Sequence, residues 1–161
     1  MDLAAVEIVE ATNAEDFAAG KILLEEYAAA LGIDLCFQNF SVEIASLAKI
    51  YGPPRGCLLL AQDNEEFAGC VAVRNQEMTV CEMKRLYVRP QYRGIGLGRR
   101  LAEAAIGRAR QLGYSRMVLD TLPSMTEAQF LYESFGFREV DGYYQNPLGG
   151  VRYLALELVT Q

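Results

Sequence analysis

The chain has 161 residues, is 52% apolar and 22% charged, and can bury a core of ordinary domain size. It contains no histidine, which excludes an imidazole base, a serine–histidine or cysteine–histidine nucleophile and most zinc sites. Its net charge of −6 argues against nucleic acid as a partner, and no apolar run approaches the roughly 18 residues that a membrane span needs. No basic segment followed by an apolar stretch opens the chain, so no signal peptide is expected; the expectation is one domain over residues 1–161, cytoplasmic and without a membrane partner. Cys36, Cys57, Cys70 and Cys81 form no CxxC pair and lie among apolar neighbours, which points to reduced structural thiols and no metal site.

Val6 to Ala11 reads as a strand. Asn13 can cap a helix that runs to about Leu31 and ends at Gly32. Ser41 can cap a second helix to about Tyr51, stopped by Gly52-Pro53-Pro54. Cys57 to Gln62 and Phe67 to Arg74 read as strands joined by the Asp63-Asn64-Glu65-Glu66 turn, and Val80 to Val88 as the next strand. Leu97 to Leu112 has a helical apolar stripe at Leu97, Leu101, Ala105 and Leu112 and ends at Gly113. Met117 to Thr121 is a strand, Thr126 to Phe135 a short helix ended by Gly136, and Phe137 to about Tyr143 and Val151 to Val159 are closing strands. This order gives a mixed sheet with helices on both faces.

The Val80–Val88 strand changes phase. Cys81 and Met83 share one face, yet further along the apolar side chains are Leu86 and Val88, so the alternation slips near Lys84-Arg85. A slip inside a strand is the trace of a β-bulge, although a plain strand that also buries Tyr87 fits the pattern equally well. From Lys84 to Arg100 the chain carries six basic residues and no acidic one, a basic island in an acidic chain and a site for a small polyanion. Within it, Arg93-Gly94-Ile95-Gly96-Leu97-Gly98-Arg99 follows the strand and opens a helix. Alternate glycines let backbone amides close round an anion, the helix start adds partial positive charge, and Arg93, Arg99 and Arg100 add full charges. A P-loop needs Gly-Lys-Ser/Thr where Arg99-Arg100 stands. A dinucleotide fingerprint needs a third glycine where Arg99 stands, although Asp120 lies near its acidic spacing.

Leu86-Tyr87-Val88-Arg89-Pro90-Gln91-Tyr92-Arg93-Gly94-Ile95-Gly96-Leu97-Gly98-Arg99 resembles the coenzyme A signature of the GNAT (GCN5-related N-acetyltransferase) superfamily. Ala128-Gln129-Phe130-Leu131-Tyr132-Glu133-Ser134-Phe135-Gly136-Phe137 looks like its second signature, and the order of elements fits over nearly the whole chain. The resemblance implies an α+β GNAT fold: a mixed, mostly antiparallel twisted sheet of about seven strands, a bulged and splayed fourth strand, and about four helices on both faces. It implies acetyl-CoA as acyl donor, its pantetheine arm on the strand at Leu86, Tyr87 and Val88 and its pyrophosphate on the amides from Gly94 through Ile95, Gly96, Leu97 and Gly98 to Arg99, with Arg93 beside them. Many members carry asparagine where Met125 stands, so that cofactor contact is lost here and Met125 is expected to pack.

An attacking amine must lose a proton and the thiolate must leave. Tyr132, beside the Ala128, Leu131 and Phe135 stripe, matches the tyrosine that the family places near the cofactor sulfur and is the candidate acid. Glu82, on the polar face before the bulge, and Asp120, at the position of a catalytic glutamate in the superfamily's ribosomal-protein acetyltransferases, compete as base, with Glu82 slightly favoured. Family resemblance places the acceptor near Tyr143, Tyr144 and Asn146 and near Phe37, Gln38 and Phe40. The acidity of the chain outside the basic island suggests a cationic acceptor, a small molecule or peptide amine. A non-catalytic coenzyme A sensor is the alternative function; a dinucleotide enzyme is a third, and a homodimer stays open.

Overall fold

The computed structural model describes residues 2–35 and 39–158. Cys36, Phe37, Gln38 and the end of the last expected strand at Val159 lie outside the described residues. Twelve elements follow in chain order: β1 (Val6–Glu10), α1 (Ala14–Leu31), α2 (Phe40–Ala45), α3 (Leu47–Ile50), β2 (Cys57–Asp63), β3 (Glu66–Glu77), β4 (Val80–Val88), α4 (Leu97–Gln111), β5 (Arg116–Thr121), α5 (Thr126–Ser134), β6 (Arg138–Val140) and β7 (Arg152–Glu157). They build one seven-stranded sheet of order β1-β2-β3-β4-β5-β7-β6. Every neighbouring pair is antiparallel except β4 and β5. A single parallel pair rules out the doubly wound parallel sheet that a dinucleotide enzyme would require. No described helix is long and apolar enough to cross a membrane.

Both faces of the sheet are covered. α4 and α5 bury Leu97, Leu101, Ala105 and Tyr132 against one face. α1 and α3 bury Leu23, Leu24 and Leu47 against the other. β2 is therefore apolar on both sides, Leu59 facing α4 and Leu58 and Leu60 facing α1. α1 begins as its sequence dictates, the Asn13 side chain accepting from the Asp16 amide, and ends at Gly32 in the left-handed region.

The phase slip in β4 is a bulge. Cys70 and Ala72 of β3, two residues apart, face Tyr87 and Lys84, three residues apart. The extra residue is absorbed at Arg85, whose φ of 61° puts a large side chain in the left-handed region. Cys81 and Met83 before the slip and Leu86 and Val88 after it all pack towards α4. Tyr87 is buried as well, but against α1, so the plain strand is not realised although the burial of Tyr87 that it implied is. Gly69 permits this geometry: a Cβ there would lie 2.4 Å from the Tyr87 carbonyl oxygen.

Two elements differ from the sequence expectation. The second helix is split at Ser46, which leaves the helical region at φ −135°, and Ser41 lies inside α2 instead of capping it. Tertiary contact decides its placement: Glu43 of α2 takes two hydrogen bonds from Arg85, at 2.9 and 2.8 Å, and one from the Tyr51 hydroxyl at 2.8 Å. β6 stops at Val140, well short of Tyr143. The chain leaves the sheet edge there and lays Tyr143 and Tyr144 against Tyr153, with ring centroids 5.4 and 5.6 Å from it.

Glu43 and Arg85 are each 5% exposed, so neither charge tolerates loss of the other. Burial pushes the Glu43 carboxyl up, but the hydrogen bonds and charge of Arg85 outweigh it and hold the pKa below the ordinary 4.5. A depressed pKa contributes stability above the ordinary carboxylate range, and that stability is lost as the pH falls through the lower folded-state value. Glu43→Gln is expected to cost about 3–5 kcal/mol in urea unfolding at neutral pH and to flatten the acid limb of the stability profile.

Candidate active site

β4 and β5 pair only over Val80–Glu82 and Arg116–Val118. Past the Glu82–Val118 rung, β4 stays with β3 to Val88 and β5 stays with β7 to Thr121, so the two strands part. Beyond that rung the β4 backbone has a partner strand on one side only. The opening is a cleft of about 720 Å³ lined by β4 from Met83 to Val88, by the turn into α4, by Asp120 and by Met125, Leu131 and Tyr132. Tyr27, Ala30 and Leu31 of α1 close its far side, a wall that the sequence pattern did not mark.

The glycine-rich turn stands at the mouth of this cleft. Gly94 and Gly96 have φ of 84° and 88°, which only glycine adopts freely. Gly96 caps α4 without a side-chain hydrogen bond, and the first turn of a helix has amides with no intrahelical acceptor. These amides, with Arg93 and Arg99, are suited to a diphosphate. Gly98 is different: it is helical, and a Cβ there would meet only Val88 at 3.9 Å. Ile95 packs against the α4 core and does not line the cleft.

The basic island disperses in space. Arg85 is buried with Glu43. Arg89 pairs with Glu26 at 2.7 Å and donates to the Phe67 carbonyl. Arg100, expected in the cradle, donates instead to the carbonyls of Leu3 and Val6 at 2.8 Å. Arg93 donates to the Val88 carbonyl at 2.9 Å and Arg99 to the Ser134 hydroxyl at 2.9 Å, and both line the cleft.

The three catalytic candidates sit round the parting of the strands. Tyr132 lines the cleft and tilts against Phe137 at 5.8 Å, and no hydrogen bond ties its hydroxyl to another described residue. Burial, with the charge of Asp120 a smaller contribution, pushes this phenol well above the ordinary tyrosine value. Asp120 lines the same cleft and accepts from the Tyr144 hydroxyl. Glu82 is 1% exposed on the last paired rung; Oε1 accepts from Arg74 at 2.9 Å and Oε2 from the Tyr143 hydroxyl. Its ionic partner is thus Arg74, its register partner on β3, and not Lys84.

A second cavity, of about 380 Å³, adjoins on the α2 side, with Glu82, Arg74, Tyr51, Tyr143 and Tyr144 in its walls. Tyr143 and Tyr144 line this cavity, while Asn146 lies behind them, its amide donating to the Tyr144 hydroxyl at 2.9 Å. Phe40, expected near the acceptor, packs over the Arg85 guanidinium at 5.3 Å. Met125 lines the cleft, and its sulfur accepts from the Thr121 hydroxyl at 3.8 Å. Among the described residues Lys84 alone stands in the walls of both cavities, a position the sequence pattern hid inside the basic island.

The chain thus combines a mostly antiparallel sheet, splayed at a bulge, with a glycine-rich turn at the mouth of the splay. The Acetyltransferase (GNAT) family model matches residues 21–137, and the chain belongs to that family. An uncharacterized N-acetyltransferase of Schizosaccharomyces pombe is 48% identical over 140 residues, 86% of each chain. The structure is similar to an acetyltransferase from Streptococcus agalactiae, with a TM-score of 0.77, 27% identity and 95% and 98% of the two chains covered. It shares its fold with a Salmonella typhimurium protein solved with its cofactor acetyl-CoA, with a TM-score of 0.69, 22% identity and 98% and 96% covered.

Three substitutions separate cradle from scaffold. Gly98→Ala is expected to stabilise the ligand-free fold by about 0.5–1 kcal/mol, as alanine does in a helix, while weakening acetyl-CoA binding in calorimetry. Arg99→Ala is expected to weaken it too, whereas Arg100→Ala should lower melting temperature with little change in acetyl-CoA affinity.

Proposed function

We propose that the chain is an N-acetyltransferase that moves the acetyl group of acetyl-CoA to an amine acceptor by direct attack, with a carboxylate as base and Tyr132 as acid. One observation carries this reading. The strands part just past Glu82, and the resulting cleft has the α4 cradle at one end, Tyr132 and Asp120 on its walls and a second cavity beside it. Acetyl-CoA supplies an activated thioester carbonyl. The unpaired side of β4 offers backbone groups to an extended arm, and the amides at the start of α4 receive the diphosphate.

Direct attack also suits the thiols. Burial pushes Cys57, Cys70 and Cys81 up to about 12, so none of them is a thiolate at neutral pH. Tyr132, held above its ordinary value, keeps its proton through the neutral range and has it to give to a leaving thiolate. Glu82 and Asp120 stand on either side of the strand parting. Glu82 faces the acceptor cavity and receives the amine proton directly or through a water; Asp120 is the alternative base.

The reading is tested by thiol release from acetyl-CoA across an amine library, with products identified by mass spectrometry. Tyr132→Phe is expected to lower kcat by about 10²-fold or more with acetyl-CoA affinity retained. Wild-type turnover in that variant at every pH removes Tyr132 from the reaction. Of Glu82→Gln and Asp120→Asn, the variant that loses both kcat and the acidic limb of the pH profile identifies the base.

A further inference from the structure

The cavity beside Glu82 has Glu43, Arg74, Glu82 and Lys84 as the charged groups of its walls, and the buried Arg85 bound to Glu43 brings the local sum to one positive charge. The charges that act most on Lys84 are those of Glu82, Arg85, Glu43 and Arg74, and Asp120, which accepts from Tyr144, lines the cleft on its other side. Glu43 is bound bidentately by Arg85, and Glu82 is paired with Arg74 at 2.9 Å. The two carboxylates and two guanidiniums cancel, and the Lys84 ammonium is left over. It makes no hydrogen bond or ion pair with any described residue. Desolvation lowers its pKa, so the charge is held at a cost that an anion in the cavity would offset. The other groups that face the cavity, Tyr51, Tyr143, Tyr144, Asn39 and Gln76, are neutral hydrogen-bonding side chains.

Lys84 and Glu82 alternate with Met83 along β4 and so project from one face, about 7 Å apart along the strand. An acceptor whose amine reaches Glu82, the candidate base, would meet the Lys84 ammonium a few bonds away, where a carboxylate fits. The geometry points to a small amino carboxylate, an amino acid or a close analogue, as the acceptor, its carboxylate held by Lys84. This inference rests on the acetyltransferase reading and names its substrate class. It runs against the net charge of the chain, which suggests a cationic acceptor. The acidity is spread over the whole surface, whereas the carboxylates nearest Lys84 are already paired.

The test measures acetyl transfer to a panel of free amino acids, each against its own carboxamide, which keeps the amine and removes the anion. The expected result is that kcat/KM for the acid exceeds that for the amide by about 10- to 100-fold, the usual worth of a hydrogen bond to a charged group. Lys84→Met is expected to shrink that ratio towards one through the acceptor KM, and Lys84→Arg to keep most of it. Acetyl-CoA calorimetry on each variant checks that it is folded. An enzyme that uses amides as well as acids, or a Lys84→Met variant that loses both equally, overturns the inference and leaves the acetyltransferase reading standing. Absence of thiol release with every amine, despite acetyl-CoA binding, overturns that reading and the inference with it.

Discussion

The left-handed turn of β4 at Arg85 is the constraint on which the remaining architecture depends. A residue with a Cβ pays about 1–2 kcal/mol to sit at positive φ, and here it also carries a buried guanidinium. Both costs are met by a bidentate carboxylate from α2, by the Tyr51 hydroxyl on that carboxylate, and by the Tyr27 and Phe40 rings at 5.7 and 5.3 Å from the guanidinium. Cys70 completes the arrangement by donating its thiol to the Arg85 carbonyl at 3.4 Å. The bulge shifts the face on which Leu86 and Val88 stand, and beyond it β4 runs beside β3 alone. Fold stability and the cleft wall thus share one local distortion.

Charge is organised by pairing, not by proximity in sequence. Six basic residues follow one another between Lys84 and Arg100, yet only Arg93 and Arg99 stand beside the glycine-rich turn in the cleft wall. The others brace the scaffold: Arg85 to α2, Arg89 to α1, Arg100 to the segment before β1. A glycine-rich turn at a helix start presents backbone amides as donors, so such a turn needs few guanidiniums to suit an anion. Lys84 is left as the cation that the scaffold does not use.

The region where β4 and β5 part joins two differently built cavities. The cleft is open to both faces of the sheet because it lies between strands, and its walls come from α1, β4, β5 and α5. The neighbouring cavity is closed by tyrosines. Tyr143 and Tyr144 each donate to one of the two candidate bases, Glu82 and Asp120, and Tyr153 stacks behind them. Burial and the Glu82 charge push the Tyr143 phenol far above its ordinary value, so it acts as a fixed donor to that carboxylate at neutral pH.

Sequence alone determined the order of elements, the caps of α1, the phase slip in β4 and the glycine-rich start of α4, because each is a local property of spacing and residue type. Gly94 and Gly96 mark positive φ, and the slip from Cys81 and Met83 to Leu86 and Val88 marks the bulge. Tertiary structure decided what no local pattern encodes. Glu43 and Arg85 lie 42 residues apart, Glu82 and Tyr143 lie 61 apart, and Lys84 gained its place between two cavities only once its basic neighbours had found partners elsewhere. Chain spacing reports which face a residue occupies; which charges are neutralised there depends on contacts between distant segments, and those exist only in the folded molecule.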